Sequence, residues 1–311
     1  MIKNISRYAL LVWKSKTFQI LLSVGSIIFV ISILAWLIFS QWDALISHMI
    51  NIRPAILIIS FLIYSVILLL TSGIWAQIMN KLGHSVPFKK HFITFCLSAL
   101  GKRLPGTIWY VGWRANLYQD EGYSTKLIVL TSGIEIVITM IAAIVVSLIF
   151  SIPMILQFNY SIIGFIIIII ASLILLHPKI NQKIFLKLNI DFSKFSYKDI
   201  LIWTCGYIII WILVGCLLFS FANFYTPVGI SAVGYFIGAT ALTGVLSKLI
   251  LFSPVHFGFG EISLSLLLAG VMPASLAVII AITNRIVITF FEILWATFSL
   301  TIKQVNHKNN P

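Results

Sequence analysis

The side chains of this chain that could do chemistry are a few charges set among apolar residues, where an ionisable group is costly enough to mark function by default. Lys102, Arg103 and Arg114 surround a break that reads Gly101-Lys102-Arg103-Leu104-Pro105-Gly106. Glu261 follows a second break, PVHFGFG at 254–260. Glu135 lies inside the apolar run 127–150, Lys248 near the end of 230–252, and Arg285 and Glu292 inside 273–302. The last two are seven residues apart and so fall on nearly one helical face. The sum is cationic. Each break is followed by a helix start, whose free N–H groups and dipole favour an anion. A phosphate headgroup is the natural ligand of such a set.

The same charges have a second use, as ion pairs that lock helices together. That use is expected for Glu135, Lys248 and Glu292. A substrate-binding role is expected for Lys102, Arg103, Pro105, Gly106, Trp109, Trp113, Arg114, Pro254, Gly258, Glu261 and Arg285. Arg114 and Glu261 are expected to approach each other across the two breaks. His84, His91 and His256 stand singly, and no His, Cys and carboxylate set has metal-ligand spacing. The sequence holds no Walker lysine loop, no G-x-S-x-G elbow and no H-E-x-x-H. Asp120-Glu121 is the one acidic pair and reads as a solvated turn. The expectation is therefore no enzyme, no cofactor and no metal.

The elements that must position these charges are membrane helices. Of 311 residues, 60% are hydrophobic and 9% charged, against about 45–50% and 25% in soluble domains. Apolar runs at 18–40, 55–79, 127–150, 161–176, 200–221, 230–252 and 273–302 approach or exceed the roughly 20 residues that a bilayer core requires. The chain reads as one integral membrane domain over 1–311, an all-α polytopic bundle of about 7–8 spans. The first run is too long for a signal-peptide core and reads as a retained anchor.

The formal charge of +13 belongs to topology rather than to nucleic acid. Lysines and arginines gather at 1–17, at 81–90 and in the loop 177–199, while 41–53, 151–160 and 222–229 are nearly free of them. The positive-inside rule places the basic set, N-terminus included, in the cytoplasm of a cell inner membrane. Cys96, Cys205 and Cys216 all lie in apolar segments. Cys205 and Cys216 stand about 16 Å apart on one expected helix, too far to bridge.

Two segments are not plain spans: 91–123 and 252–271. Each is interrupted by Pro and Gly, and the pieces are too short to cross alone. Irregular backbone at membrane depth is tolerated only where protein buries it or a wet cavity lines it, and paired broken helices point to a transporter site. If both return to their own side, seven spans remain and the basic tail (Lys303, His307, Lys308) lies outside. If one crosses, the tail lies inside, which charge favours.

These broken segments carry a resemblance. Pro105-Gly106, Gly112, Arg114, Glu121-Gly122-Tyr123-Ser124 and Glu135, then Pro254, Gly258, Glu261 and Asn284-Arg285, occur in the order and spacing of the lysylphosphatidylglycerol synthase transmembrane, or flippase-like, family. The similarity covers most of the chain. Where that family reads P-G-G-x-G-x-R-E, this chain has Val255 and His256 for the paired glycines and Gly260 for the arginine. The resemblance implies membrane helices with re-entrant hairpins and movement of a phospholipid or polyprenyl-linked glycolipid in envelope biogenesis. Membrane lipids would be the partners, with Trp109 and Trp113 against the acyl or sugar part. It also implies that this stretch lacks the aminoacyl-transferase domain. The alternative is a non-transporting scaffold that holds an envelope-synthesis enzyme.

Overall fold

The computed structural model describes Phe39 and residues 55–83, 85–103, 109–119, 121–151, 196–249 and 256–309. Helices run over Ala55–Leu82 (α1), Phe88–Ala99 (α2), Trp109–Gln119 (α3), Thr125–Phe150 (α4), Tyr197–Tyr225 (α5), Val233–Leu249 (α6), His256–Leu268 (α7) and Ala274–Asn309 (α8). Short 3-10 turns at Leu100–Arg103 and Ile230–Ala232 extend α2 and precede α6. Five helices are long and apolar enough to cross a bilayer: α1, α4, α5, the stretch Ile230–Lys248, and α8 up to Ile302. The protein is an all-α, multi-pass membrane protein. The runs at 18–40 and 161–176, the segment 1–17 and most of the loop 177–199 lie outside the described residues.

These helices are apolar on the outside as well as within. Ile58, Leu62, Val66 and Leu69 form an exposed stripe on α1 at helical spacing, and Ile286, Phe290, Ile293 and Leu294 form one on α8. In water such stripes would be a liability; in lipid they are the solvated face. Hydroxyls inside the helices turn onto their own backbone. Ser65, Thr71, Thr131, Thr139, Thr204 and Thr289 each donate to the carbonyl four residues earlier, which satisfies those donors without water. The three cysteines are free.

α2 and α3 form a hairpin. At its mouth Lys90 Nζ meets Glu121 Oε2 at 2.6 Å, and deeper in, Arg114 Nε donates to Ser98 Oγ at 3.3 Å. α6 and α7 form a second hairpin. The Tyr235 hydroxyl donates to the Leu267 carbonyl at 2.5 Å at its mouth. Toward its tip, a Cβ placed on Gly260 would stand 3.3 Å from Ser247 Oγ.

The two mouths open at opposite ends of the bundle. The first lies with the C-terminus of α1 and the N-termini of α4 and α5. There Lys81 Nζ pairs with Asp199 Oδ2 at 2.5 Å, and Gly83 packs on the Tyr123 ring. The second lies with the C-termini of α4 and α5 and the N-terminus of α8. Gly234 and Gly238 of α6 pack on Phe150 at the end of α4, and the Tyr225 hydroxyl bonds Thr283 Oγ1 at 2.8 Å. Lys81, Lys89, Lys90, Lys126 and Lys198 all sit at the first end; among the described residues the second end has no charged side chain.

Among the described residues, two sets of helices therefore repeat with inverted direction. α1, a hairpin and α4 form one half; α5, an opposed hairpin and α8 form the other. Inverted repeats with broken helices meeting at mid-depth are a recurrent transporter design. The run at 230–252 contains Ile230–Lys248, long and apolar enough to cross, which also pairs with α7 as the first arm of a hairpin. Its Gly244 abuts Trp211, midway along α5, and α7 packs back along it, with Gly260 beside Ser247 and Tyr235 bonded to the Leu267 carbonyl. Because α7 returns to its own end, α8 runs toward the basic end and carries the C-terminal tail with it. α6 lies close against α5: a Cβ on Gly215 of α5 would collide with the Ile237 backbone. Larger residues at Gly215, Gly238 and Gly244 would push α6 out of the groove between α4 and α5.

Candidate functional site

The first hairpin is fixed at its mouth by a closed hydrogen-bond circuit. Asn80 Oδ1 accepts from the Val86 N–H at 3.0 Å and lies 2.9 Å from His91 Nε2. An amide oxygen is only an acceptor, so His91 Nε2 carries the proton and Nδ1 accepts from the Tyr118 hydroxyl at 2.6 Å. Tyr118 in turn accepts from Trp75 Nε1 at 2.8 Å. Burial lowers the His91 imidazole from its ordinary value to about 4, against the raising effect of Glu121. The ring is neutral, as the circuit requires. After α3, Gly122 at φ 77 makes the turn, and Ser124 caps α4 by accepting from the Leu127 N–H.

Trp75 links this circuit to the charge cluster. The Arg114 guanidinium lies 4.0 Å from the Trp75 ring centre, 4.7 Å from that of Phe95 and 5.1 Å from that of Tyr110. Its Nη1 donates to Glu135 Oε2 at 2.8 Å, and Glu135 Oε1 accepts from the Tyr207 hydroxyl at 3.0 Å. Arg114 is wholly buried, yet among the described residues its Nη2 has no hydrogen-bond partner. Three aromatic faces and one carboxylate hold the cation in an apolar interior, which is where a cation over a ring is worth most.

Lys102, on the 3-10 turn, lies over two of the same rings, 5.3 Å from the centres of Phe95 and Tyr110. Lys248, at the tip of the opposed hairpin, lies 4.9 Å from the Trp211 ring centre. It is close enough to Lys102 to be repelled and to Glu135 to be attracted. Of these cations Arg114 bonds Glu135, while Lys102 shares two of the rings that hold Arg114.

The second hairpin carries the matching pair with its signs exchanged. Glu261 is the sixth residue of α7, as Arg114 is of α3. Glu261 Oε1 pairs with Arg285 Nη1 of α8; Arg114 pairs with Glu135 of α4. Here too one atom is left over: Glu261 Oε2 is buried without a hydrogen-bond partner among the described residues. Gly258, at φ 86, sets the start of α7 so that Glu261 faces α8. A side chain there would be strained.

Of the residues singled out in the sequence, Lys102, Arg114, Glu135 and Lys248 come together at mid-depth. Glu261 and Arg285 form a separate pair. Arg114 and Glu261 do not seek each other: each takes its counter-charge from the long helix that follows its own short one. Trp113 is 41% exposed and points away from the cluster. Glu292 is buried on α8. Arg103 and Trp109 are described in backbone only, while Pro105, Gly106 and Pro254 lie outside the described residues. The sequence analysis assigns no role to Trp75, Phe95, Tyr110 and Tyr207; indole and phenol heads inside apolar runs are the only signal for the three that carry one, and Phe95 has none.

No protein-family model, curated protein or solved structure matches this chain. No group of three or more potential metal ligands occurs among the described residues.

Proposed function

We propose that this protein moves a phosphate-bearing lipid across the cell inner membrane, in the manner of the lysylphosphatidylglycerol synthase transmembrane (flippase-like) family that its broken segments resemble. One observation carries this reading: a wholly buried arginine, Arg114, has a donor without a hydrogen-bond partner among the described residues, beside Lys102 over the same rings. A buried cation without full compensation is costly, and a visiting phosphate supplies what the protein withholds. The inverted hairpins support the same reading, since each gives mid-depth access from one end of the bundle. The basic end is cytoplasmic, as the distribution of lysines favours. In this scheme Glu261 and Arg285 latch the second hairpin against α8, and the phosphate displaces Glu135 as the partner of Arg114 during passage.

The test is reconstitution of the purified chain into liposomes with a fluorescent phospholipid, following dithionite quenching of probe that reaches the outer leaflet. Quenching beyond the outer-leaflet half is expected with wild type and is expected to vanish with Arg114→Gln. Liposomes that behave as protein-free ones, across phosphodiester and polyprenyl-linked lipids, would overturn the proposal in favour of a non-transporting scaffold for an envelope-synthesis enzyme.

A further inference from the structure

We propose that Ser132 of α4 is a further binding residue for the lipid phosphodiester, its hydroxyl and Arg114 Nη2 together receiving one non-bridging oxygen. The inference rests on the translocation reading above and deepens its site. Arg114 is 0% and Ser132 1% exposed, and among the described residues neither Arg114 Nη2 nor Ser132 Oγ has a hydrogen-bond partner. A buried polar atom left so is costly, and a ligand oxygen recovers the cost. Neighbouring hydroxyls on α4 behave otherwise. Thr131 Oγ1 donates to the Leu127 carbonyl at 2.8 Å and Thr139 Oγ1 to the Glu135 carbonyl at 2.6 Å; Ser132 does not turn onto its own helix.

Ile128, Ser132 and Glu135 lie on one stripe of α4, at helical spacing. Both ends of that stripe meet the first hairpin. Ile128 packs in the cluster that holds Phe95 and Tyr118, and Glu135 Oε2 accepts from Arg114 Nη1 at 2.8 Å. Long helical side chains lean back over the preceding turn, which carries the Glu135 carboxylate, and the guanidinium bonded to it, toward Ser132. Nη2 shares one edge of the guanidinium with Nε, which donates to Ser98 Oγ at 3.3 Å, and the other with Nη1. Glu135 already carries the counter-charge, so Nη2 and the Ser132 hydroxyl lack an acceptor rather than an anion. A phosphodiester oxygen is such an acceptor, and docking on Nη2 precedes the displacement of Glu135 from Nη1.

The experiment uses the full chain in liposomes of digalactosyldiacylglycerol, a host lipid without phosphate. Translocation of fluorescent phosphatidylglycerol is followed as its mole fraction is raised, with inorganic phosphate as a competitor. Ser132→Ala is expected to raise the half-saturating fraction about tenfold, as loss of one hydrogen bond to a charged group does. The maximal rate should stay within about twofold, the mark of a contact made in binding. Ser132→Cys, with its weaker donor, should fall between alanine and wild type. Thr131→Ala, the same loss of a hydroxyl one residue away, should match wild type. Gel filtration and tryptophan fluorescence establish that each variant is folded. A wild-type half-saturation in Ser132→Ala would overturn the inference and leave the hydroxyl with a buried water only. A lowered maximal rate at unchanged half-saturation would also overturn it, as would an equal effect of Thr131→Ala, since either marks a packing role. Inorganic phosphate that competes as well as the lipid would make the ligand a free ion. Wild-type translocation that ignores Ser132 removes this inference alone; no translocation in wild type removes both.

Discussion

Neutralising one partner of the Arg114–Glu135 pair strands the other as a charge inside the membrane. Arg114 is wholly buried and Glu135 nearly so. Breaking a buried pair from one side costs about 3–5 kcal/mol, because the remaining charge loses its compensation. Glu135→Gln is the milder chemistry, since the amide oxygen still accepts from Tyr207, but it leaves Arg114 facing only rings and Ser98. Arg114→Met leaves the Glu135 carboxylate with Tyr207 as its one hydrogen-bond partner among the described residues. Each single variant should lose about 3–5 kcal/mol, a factor of roughly a hundred to several thousand in the folding equilibrium. The double variant Arg114→Met/Glu135→Gln removes both members of the pair and should return to within about 2 kcal/mol of wild type. The assay is unfolding in mixed micelles by denaturing detergent, read from tryptophan fluorescence, as a double-mutant cycle. Translocation is measured on the same samples. The double variant should be stable and inactive, which separates the structural use of Arg114 from its ligand-binding use. Strictly additive losses, or single variants within about 1 kcal/mol of wild type, would refute the stranded-charge reasoning.

Three further outcomes follow from other parts of the molecule. Gly258→Ala places a Cβ at φ 86 and should cost about 1–2 kcal/mol, seen in the same unfolding assay; no loss would mean that α7 can start without the left-handed residue. His91 has a folded-state value near 4 against an ordinary 6.5, so the unfolded chain binds the extra proton first. Stability is then fully present above pH 6.5 and falls as pH drops toward 4; His91→Gln should flatten that part of the profile, and an unchanged slope would contradict the neutral-imidazole circuit. Gly244→Leu should separate α6 from Trp211 and lower the yield of folded protein in membranes, whereas Gly112→Leu, at a position open to the surroundings, should not.

Much of the fold is legible in the sequence because hydrocarbon leaves few choices. Runs of about 20 apolar residues in lipid must be helices, and the breaks at Gly101 and around Pro254 announce themselves through Gly and Pro. The run at 230–252 reads only as a span, for a physical reason. Ile230–Lys248 has the length and hydropathy of a crossing, and only the packing of Gly238 and Gly244 against neighbouring helices reveals a hairpin arm. The partners of the charges were less legible. Each broken-segment charge pairs with the next long helix, Arg114 with Glu135 and Glu261 with Arg285, and sequence spacing of 21 and 24 residues carries no local signal. The exchanged signs also hide the internal repeat from a residue-by-residue comparison. The aromatic wall of Trp75, Phe95 and Tyr110 could not be told from ordinary lipid-facing rings, since what distinguishes it is the cation at its centre.

The most direct single measurement is the sidedness of the two hairpin mouths. Gln119→Cys marks the first and Val271→Cys the second, each in a chain whose Cys96, Cys205 and Cys216 are replaced by serine. A membrane-impermeant maleimide is applied to sealed vesicles of known orientation. Labelling of the two positions from opposite sides is the expected result and places the converging cations midway between two opposed entrances. Labelling of both from the same side would contradict the inverted arrangement, and with it the lipid path drawn through Lys102 and Arg114.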